Sequence, residues 1–213
     1  GLGNKFLGNI RMTDAIVHVV RCFDDENVIH VEGSTDPIRD MDTIDLELVM
    51  ADLEMVERRI DKAKKAAKGD KKFLQEAADF EGLRDWLNDG KSARTYEAVD
   101  IAQEYPDCEL LSLKPVIYAA NLDEDGFADP HGVEYYRQVE ERAQTQGAQV
   151  IPVCAKLEAE IAELDAEEKK MFLDDLGIAE SGLDRLVKAS YSLLGLISYL
   201  TSGEDECRAW TIK

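Results

Sequence analysis

Residues 115–127 of the chain, PVIYAANLDEDGF, join an apolar run to a group of acidic turn residues. Val116, Ile117 and Tyr118 favour a β-strand, and the two alanines after them keep the run apolar. Asn121 ends the run, and the three consecutive carboxylates that follow favour a turn. Ligands of open α/β sheets bind where strands end at their carboxyl edge. The stretch therefore predicts either a binding loop or a solvated acidic turn.

Two other segments have a strand-like composition. Residues 14–23, DAIVHVVRCF, predict a buried strand, and residues 149–154, QVIPVC, predict a third one. Helical periodicity follows in GVEYYRQVEERAQTQG, which Gly147 ends, and then in LEAEIAEL, AEEKKMFLDDLG and GLDRLVKASYSLLGLISYL. Strands that alternate with helices predict an α/β fold with a parallel sheet.

Residues 42–107 interrupt this pattern and predict an inserted antiparallel helical hairpin of the coiled-coil type. Asp42 or Thr43 can cap a first helix, whose apolar seam is Leu46, Val49, Met50, Leu53, Val56, Ile60, Ala63 and Ala67. The sequence KGDK at residues 68–71 breaks this helix. A second seam then follows at Phe73, Ala77, Phe80, Leu83 and Leu87.

The charge of the chain is unevenly distributed. The formal net charge is −20, which would repel nucleic acid if it were spread evenly. Residues 58–72, however, contain eight basic side chains and two acidic ones. This run predicts either a solvated helix face or a contact for an anionic partner, through the lysines at the tip of the hairpin: Lys62, Lys65, Lys68, Lys71 and Lys72.

The composition excludes several classes of protein. Hydrophobic residues make up 45% and charged residues 33% of the 213-residue chain, as in a soluble globular protein. No apolar run approaches the roughly 20 residues of a membrane span, and no signal segment opens the chain. Its four cysteines are scattered, which indicates reduced thiols of a cytoplasmic protein and neither a disulfide framework nor a zinc site.

Six segments resemble, in their order and spacing, the YchF/Obg-like ATPase family of P-loop NTPases: GLGNKFL, HVVRCF, ANLDEDG, CAKLEAEIAEL, SGLDRL and RAWTIK. The resemblance covers essentially the whole chain. It implies a G domain at residues 1–41 and 108–203, a hairpin inserted at 42–107, and the start of a TGS domain at 204–213. The P-loop sequence GxxxxGK[ST] does not occur. We therefore expect a fragment that lacks the P-loop, the magnesium ligands and most of the TGS domain.

The resemblance also implies how a base is recognised. Asn121, Leu122 and Glu124 match the family's Asn-x-x-Glu motif, where related GTPases have Asn-Lys-x-Asp. The family prefers ATP, so Asn121 is expected to brace the base-binding loops and contact the ring. Leu122 would cover the face of the ring and Glu124 would read its edge, since an unpaired polar group costs about 1–3 kcal/mol. Asp123 and Asp125 are expected to be solvated turn carboxylates.

Further site residues follow from the same resemblance. Cys154, Ala155 and Lys156 correspond to a motif that is usually Ser-Ala-Lys. The backbone N–H groups of Ala155 and Lys156 would reach the base edge, and the stem of Lys156 would cover the ring. His30 is the candidate catalytic residue, by water positioning or proton relay, or else a solvated or packing histidine. His18 is expected in the core and His131 on a surface loop.

The resemblance implies an ATPase of the cytoplasm that uses ATP and Mg²⁺ and binds ribosomes or RNA. No membrane association and no sequence-specific DNA binding are expected. Two alternatives stay open on the sequence. One is a non-catalytic RNA- or protein-interaction module built on the hairpin, and the other is a GTPase.

Overall fold

The computed structural model describes residues 3–203 and 206–213, apart from the side chain at position 4. The chain divides into two compact units, Gly1–Ile16 with Ile38–Pro115, and Val17–Pro37 with Val116–Lys213. The assignment of ranges to a G domain, an insert and a TGS domain stays a prediction. Residues 204 and 205 of its last range lie outside the described residues, as do residues 1 and 2 of the GLGNKFL segment.

The described residues form helices and strands in the following order along the chain. They are α1 (Asn4–Arg11), β1 (Ile16–Arg21), α2 (Pro37–Ala66), α3 (Phe73–Asn88), α4 (Ile101–Glu104), β2 (Val116–Asn121), α5 (Glu124–Ala128), α6 (Glu134–Gln144), β3 (Gln149–Val153), α7 (Ala155–Ile161), α8 (Ala166–Asp175), α9 (Gly182–Leu193), β4 (Ile197–Ser202) and β5 (Cys207–Ile212). None of the described helices combines the length and the apolar character that crossing a membrane requires.

A parallel sheet with the order β1-β2-β3 positions the ends of the strands. Strand β2 pairs with β3 in a register that runs from Ile117 opposite Gln149 to Asn121 opposite Val153. Every residue of β2 before Asn121 is buried, as expected for a central strand. Helices α6 and α9 pack against β2 and β3. The predicted α/β fold is confirmed.

Strand β1 is less buried than the sequence predicts. Val20 is 1% exposed, but Val17 is 43% and Val19 63% exposed. The strand lies at the edge of the described sheet, whereas α6 and α9 lie against the two other strands. The apolar run therefore predicted a strand correctly, but the burial of both faces that it also predicted is wrong. His18 is half-buried beside the ring of Tyr118.

The predicted helical hairpin is confirmed in the other unit. Helices α2 and α3 are joined by residues 67–72, where KGDK was expected to break the helix. The second predicted seam is largely correct, since Ala77, Phe80, Leu83 and Leu87 are buried and Phe73 is half-buried. Phe80, Leu83 and Leu87 share a core with residues of α2 such as Val56 and Ile60.

The first predicted seam has the wrong phase in its N-terminal half. Helix α2 begins at Pro37 rather than near Asp42 or Thr43. Leu46 and Met50 are 49% and 57% exposed, while the seam positions at Asp45 and Asp52 are buried. Buried carboxylates explain the error, because Asp52 accepts hydrogen bonds from the backbone N–H groups of residues 111 and 112, at 2.8 and 2.7 Å.

The last predicted helix is too long. Helix α9 ends at Leu193, and the last four residues of GLDRLVKASYSLLGLISYL, from Ile197 on, lie in strand β4. Gly195 has φ 64, the left-handed conformation that commonly ends a helix. The following residues then pair antiparallel with β5, from Ile197 opposite Ile212 to Ser202 opposite Cys207.

Candidate functional site

A cleft of about 450 Å³ lies where β2 and β3 end at their carboxyl edge. One side is formed by residues that the sequence analysis selected: Asn121, Leu122, Glu124, Ala155 and Lys156. The loop after β1 forms another part of the lining, through Phe23, Asp24, Asp25 and Val28. The volume falls within the roughly 300–1,000 Å³ typical of small-molecule sites. Sequence reasoning did not select these residues for the site, although Phe23 ends the HVVRCF segment.

Asn121 connects the ends of all three parallel strands. Its side-chain Oδ1 accepts a hydrogen bond from the Ala155 N–H at 3.0 Å. Its backbone carbonyl accepts one from the N–H of Cys22, directly after β1, at 2.8 Å. The Ala155 N–H, which was expected to reach the base edge, is therefore paired within the protein. This N–H braces the cleft through Asn121, and its contact with a base stays a prediction.

Glu124 and Lys156 form an ion pair on the lining of the cleft. The distance between Lys156 Nζ and Glu124 Oε1 is 2.5 Å, and the two side chains are 71% and 49% exposed. The hydrogen bond to Glu124 raises the pKa of Lys156 above its ordinary value. Both groups are accessible to solvent, so the pair can open at little cost when another polar group enters.

Asp123 has a structural role that the sequence analysis missed. It is the N-cap of α5, and its Oδ1 accepts a hydrogen bond from the Gly126 N–H at 2.8 Å. A Cβ on Gly126 would lie 2.8 Å from that oxygen and 2.9 Å from Cγ2 of Val133. The turn therefore requires both Asp123 and Gly126. An aspartate three residues before a glycine was the sequence signal that could have indicated this N-cap. Asp123 and Asp125 are exposed, as expected of turn carboxylates.

Leu122 and Cys154 are both buried, and of the two only Leu122 lines the cleft. Leu122 is 2% exposed and its backbone N–H donates to the Val153 carbonyl at 2.8 Å, so little of its side chain is available to cover a ring. Cys154 is 1% exposed and precedes α7 without a capping hydrogen bond from its side chain. Burial raises the pKa of the Cys154 thiol.

His30 lies in a second cleft, of about 290 Å³, which is also lined by Arg21, Gly33 and Thr35. Its Nδ1 accepts a hydrogen bond from the Glu32 N–H at 3.1 Å. In the neutral imidazole the proton is therefore carried by Nε2. His30 shares this part of the molecule with the loop after β1 but does not line the first cleft. His131 is exposed, as expected, with Nδ1 3.3 Å from Glu140 Oε2.

The lysines of the hairpin tip belong to the other unit. Lys62, Lys65, Lys68, Lys71 and Lys72 are all exposed. Lys72 pairs with Asp70 at 3.2 Å. Within the described part of the chain, Lys65, Lys68 and Lys71 form no ion pair. Arg59 of the same basic run is used internally, in bonds to Glu76 at 2.5 Å and to Asp107 at 2.6 and 3.1 Å.

The first cleft is acidic. Its lining carries one lysine, Lys156, and five carboxylates, which belong to Asp24, Asp25, Asp123, Glu124 and Asp125. Among the residues described, no group of three or more His, Cys, Asp or Glu side chains is arranged to hold a metal ion. The cleft can thus offer hydrogen-bond acceptors to a neutral polar ring but would repel a phosphate chain.

No protein-family model matches the chain. Among curated proteins it is similar to the ribosome-binding ATPase YchF of Bacillus subtilis (strain 168), with 53% identity over 215 residues that cover 100% of the chain and 59% of that protein. It is 48% identical over 217 residues to the ribosome-binding ATPase YchF of Haemophilus influenzae, which cover 100% and 58%. The solved YchF GTPase of Schizosaccharomyces pombe matches with a TM-score of 0.86 and 34% identity, over 100% of the chain and 58% of that structure.

The chain belongs to the YchF family. It spans 58–59% of the length of these relatives. The structural match confirms the predicted fold class, a P-loop NTPase G-domain sheet with an inserted antiparallel helical hairpin. The two bacterial relatives are named as ATPases, whereas the solved structure is named as a GTPase. We therefore argue the choice of base from the residues of the cleft.

Proposed function

We propose that this YchF chain provides the base-binding part of an ATP-hydrolysing protein that associates with ribosomes. The observation that carries the proposal is the cleft itself. Asn121 and Glu124 come from the end of β2 and Lys156 from the end of β3, yet they line one cavity at the carboxyl ends of these adjacent parallel strands. This is where open α/β sheets bind their ligands. The reaction and the partner are those in the names of the bacterial relatives, the ribosome-binding ATPases.

The cleft suits a purine ring and not a triphosphate. Phe23 and Val28 give it apolar surface, while Glu124 and Lys156 give it an exposed acceptor and donor. The five carboxylates of the lining disfavour the negatively charged phosphates. We therefore assign the base to this cleft and no phosphate contact to these residues.

Glu124 is the proposed reader of adenine. Guanine presents adjacent donors on the edge that an aspartate recognises in related GTPases, whereas adenine presents one amino donor beside an acceptor nitrogen. Glu124 can accept from that amino group once its ion pair with Lys156 opens. Lys156 would then lie over the ring through its aliphatic stem. This arrangement favours ATP over GTP.

His30 is proposed to act on the attacking water of hydrolysis. Because its Nδ1 accepts from the Glu32 N–H, the neutral ring presents Nε2 as a donor. His30 would position a water or a phosphate oxygen by donating this proton in a hydrogen bond, rather than accept a proton at Nδ1. Mg²⁺ would neutralise phosphate charge in such a reaction, and its ligands are proposed to lie outside this chain.

The hairpin tip is the proposed contact with ribosomal or other RNA. Lys65, Lys68 and Lys71 project from a chain with a net charge of −20 and are exposed. Contact with an RNA backbone would concentrate where the local charge reverses sign. The same observation favours the second candidate function, a non-catalytic RNA- or protein-binding module built on the hairpin. For either function we propose that the protein acts in the cytoplasm.

Competition binding of ATP and GTP to the 213-residue chain tests the base assignment. Glu124→Ala should reduce the preference for ATP, because the acceptor of the adenine amino group is lost. Asp125→Ala is the matched control, since it removes one carboxylate from the same turn and the same lining. It should leave the ATP:GTP ratio nearly unchanged. Absence of a preference for ATP in the unaltered chain, or equal ratios in both variants, would contradict the proposal.

A further inference from the structure

Arg21, the last residue of β1, holds the loop that follows it. Its guanidinium donates hydrogen bonds to three backbone carbonyls: Nε to Phe23 at 2.9 Å, Nη1 to Val28 at 2.7 Å and Nη2 to Asp25 at 3.2 Å. The guanidinium carbon also lies 4.7 Å from the centre of the Phe23 ring. One side chain thus closes residues 22–28, which we name the Arg21 loop, onto the end of its own strand.

The three acceptors of Arg21 belong to residues that line the first cleft. Phe23, Asp25 and Val28 all contribute to its wall, whereas Arg21 itself lines only the second cleft, with His30. Arg21 therefore acts on the first cleft through the Arg21 loop and not by contact with anything inside it. A residue that acts on a site in this indirect way is a positioning residue.

The Arg21 loop needs such a tether because its own charges oppose closure. Asp24, Asp25 and Glu26 are consecutive and exposed, and the first two share the cleft lining with three further carboxylates. Two other contacts assist, from the Tyr135 hydroxyl to Asp24 Oδ2 at 3.1 Å and from the Thr35 hydroxyl to the Phe23 carbonyl at 3.3 Å. Each of these fixes a single point, whereas Arg21 binds three carbonyls.

Arginine is required for this geometry. The guanidinium is planar and carries five N–H donors in a fixed arrangement, so it can bind three carbonyls that lie in different directions. Lysine would keep the positive charge, but its single ammonium group on a flexible stem cannot reproduce the three bonds. The predicted defect of Arg21→Lys is therefore geometric and not electrostatic.

We propose that Arg21 is a positioning residue for the base of the nucleotide, which it secures by holding the Arg21 loop as a fixed wall of the first cleft. The proposal rests on the proposed function of that cleft. Losing the tether lets the wall move, and a base then has to order it on binding. The affinity for the base falls, while interactions made only with phosphate are unaffected.

The test measures the affinity of the 213-residue chain for ATP and for inorganic tripolyphosphate, which lacks a base, by NMR titration. The variants are Arg21→Met and Arg21→Lys, with Arg137→Met as the control, because the Arg137 side chain is 53% exposed and pairs only with its helical neighbour Glu134 among the ion pairs described. Arg21→Met should weaken ATP binding by about tenfold. Arg21→Lys should recover little of this loss, and Arg137→Met should bind like the unaltered chain.

Two further readouts separate positioning from general stability. Binding of tripolyphosphate should not change in Arg21→Lys, which keeps the positive charge that Arg21 places on the lining of the second cleft. Amides 24–28 should exchange hydrogen faster in Arg21→Lys without ligand, while the amides of β2 and β3 stay protected. A purely structural role would lower the melting temperature and leave the affinity of the folded protein for ATP unchanged. If Arg21→Met does not fold, Arg21→Lys decides the matter.

The outcomes distinguish this inference from the proposed function. ATP affinity in folded Arg21→Lys or Arg21→Met that equals the affinity of the unaltered chain overturns the role of Arg21 and leaves the base site standing. Equal weakening of ATP and tripolyphosphate also overturns it, because the effect would then be independent of the base. An unaltered chain that fails to bind ATP at all overturns the proposed function and this inference together.

Discussion

Two buried aspartates of α2 explain why the buried face of this helix differs from the one that its apolar residues predict. Asp45 and Asp52 occupy positions of α2 that face the interior, and Asp52 is fully buried. Asp52 presents one carboxylate oxygen to each of two consecutive backbone N–H groups, those of Leu111 and Ser112. A buried N–H without an acceptor costs about 1–3 kcal/mol, so this carboxylate stabilises the segment that leads into β2.

Asp52→Asn should destabilise the protein by about 1–3 kcal/mol, because the amide NH₂ would face one of the two N–H donors. Asp61→Asn is the matched control on the same helix, where the side chain is exposed, and should change stability by less than about 0.5 kcal/mol. Urea unfolding followed by circular dichroism measures both. Equal stabilities of the two variants would refute the role of Asp52.

Asp52 is also expected to make the stability of the protein depend on pH. Burial raises the pKa of Asp52, and this outweighs the hydrogen bonds from Ser112 and Leu111, which lower it. A pKa raised in the folded state contributes stability that is fully present below the unfolded value of about 4 and is lost as pH rises through the folded value. The stability difference between the unaltered chain and Asp52→Asn should therefore shrink as the pH rises above about 4. A difference that grows with pH would show that the hydrogen bonds outweigh burial.

At the scale of the element, the hairpin is fastened by charged side chains as well as by its apolar core. Arg59 of α2 bonds to Glu76 of α3 and to Asp107, beside the rings of Phe80 and Tyr105. The hydrogen bonds to Asp107 and Glu76 hold the pKa of Arg59 above its ordinary value. One guanidinium thus joins three segments of the hairpin unit.

Replacing Arg59 should loosen the hairpin even when the charge is kept. Arg59→Lys loses the bidentate contact with Asp107 and should cost about 1–3 kcal/mol, because lysine cannot bind two partners in this geometry. Arg58→Lys is the control, since Arg58 is the exposed neighbour in sequence. Thermal unfolding of both variants is the measurement. A melting temperature for Arg59→Lys equal to that of Arg58→Lys would contradict the proposed contribution.

Reversing the charge at the hairpin tip should weaken binding to ribosomes or RNA. The variant Lys65→Glu, Lys68→Glu, Lys71→Glu removes the exposed cations and should flatten the salt dependence of binding. The control reverses Lys5, Lys170 and Lys188, which are exposed elsewhere and give the same change in net charge. Co-sedimentation with ribosomes across a salt series measures the effect. Equal losses in both triple variants would mean that net charge alone, and not the tip, governs binding.

Elements whose signals are local were predictable from the sequence, and those that depend on a distant partner were not. The strand before Asn121 and the second seam of the hairpin follow from apolar patterns alone. The phase of the first seam was wrong because a buried aspartate such as Asp52 resembles an exposed one until its N–H partners are known. The end of α9 was missed because Gly195 lies within an apolar run. The last residues of that run pair with β5 as strand β4.

The candidate site follows the same rule. Asn121, Glu124 and Lys156 were found because their motifs follow strands that the sequence identifies. Arg21 was not selected, because its bonds to three carbonyls depend on the path of the loop and leave no spacing in the sequence.

For the whole molecule, the distribution of charge limits what this chain can do alone. Its described residues provide an acidic cleft suited to a base and no arrangement of three ligands for a metal ion. Phosphate cradles and metal ligands supply most of the affinity of nucleotide sites and the electrostatic stabilisation of phosphoryl transfer. We therefore predict weak nucleotide binding and no hydrolysis of ATP by the 213 residues. Release of phosphate from ATP by the purified chain, above that of a heat-denatured sample, would contradict this.

The cleft at the ends of β2 and β3 is proposed to receive the base of ATP. The most direct measurement is a ¹H–¹⁵N NMR titration of the 213-residue chain with ATP, with GTP as the comparison. The amide signals of Asn121, Glu124 and Lys156 should shift with ATP, and shift less at the same concentration of GTP. Shifts confined to the lysines of the hairpin tip, or none in the cleft, would contradict it.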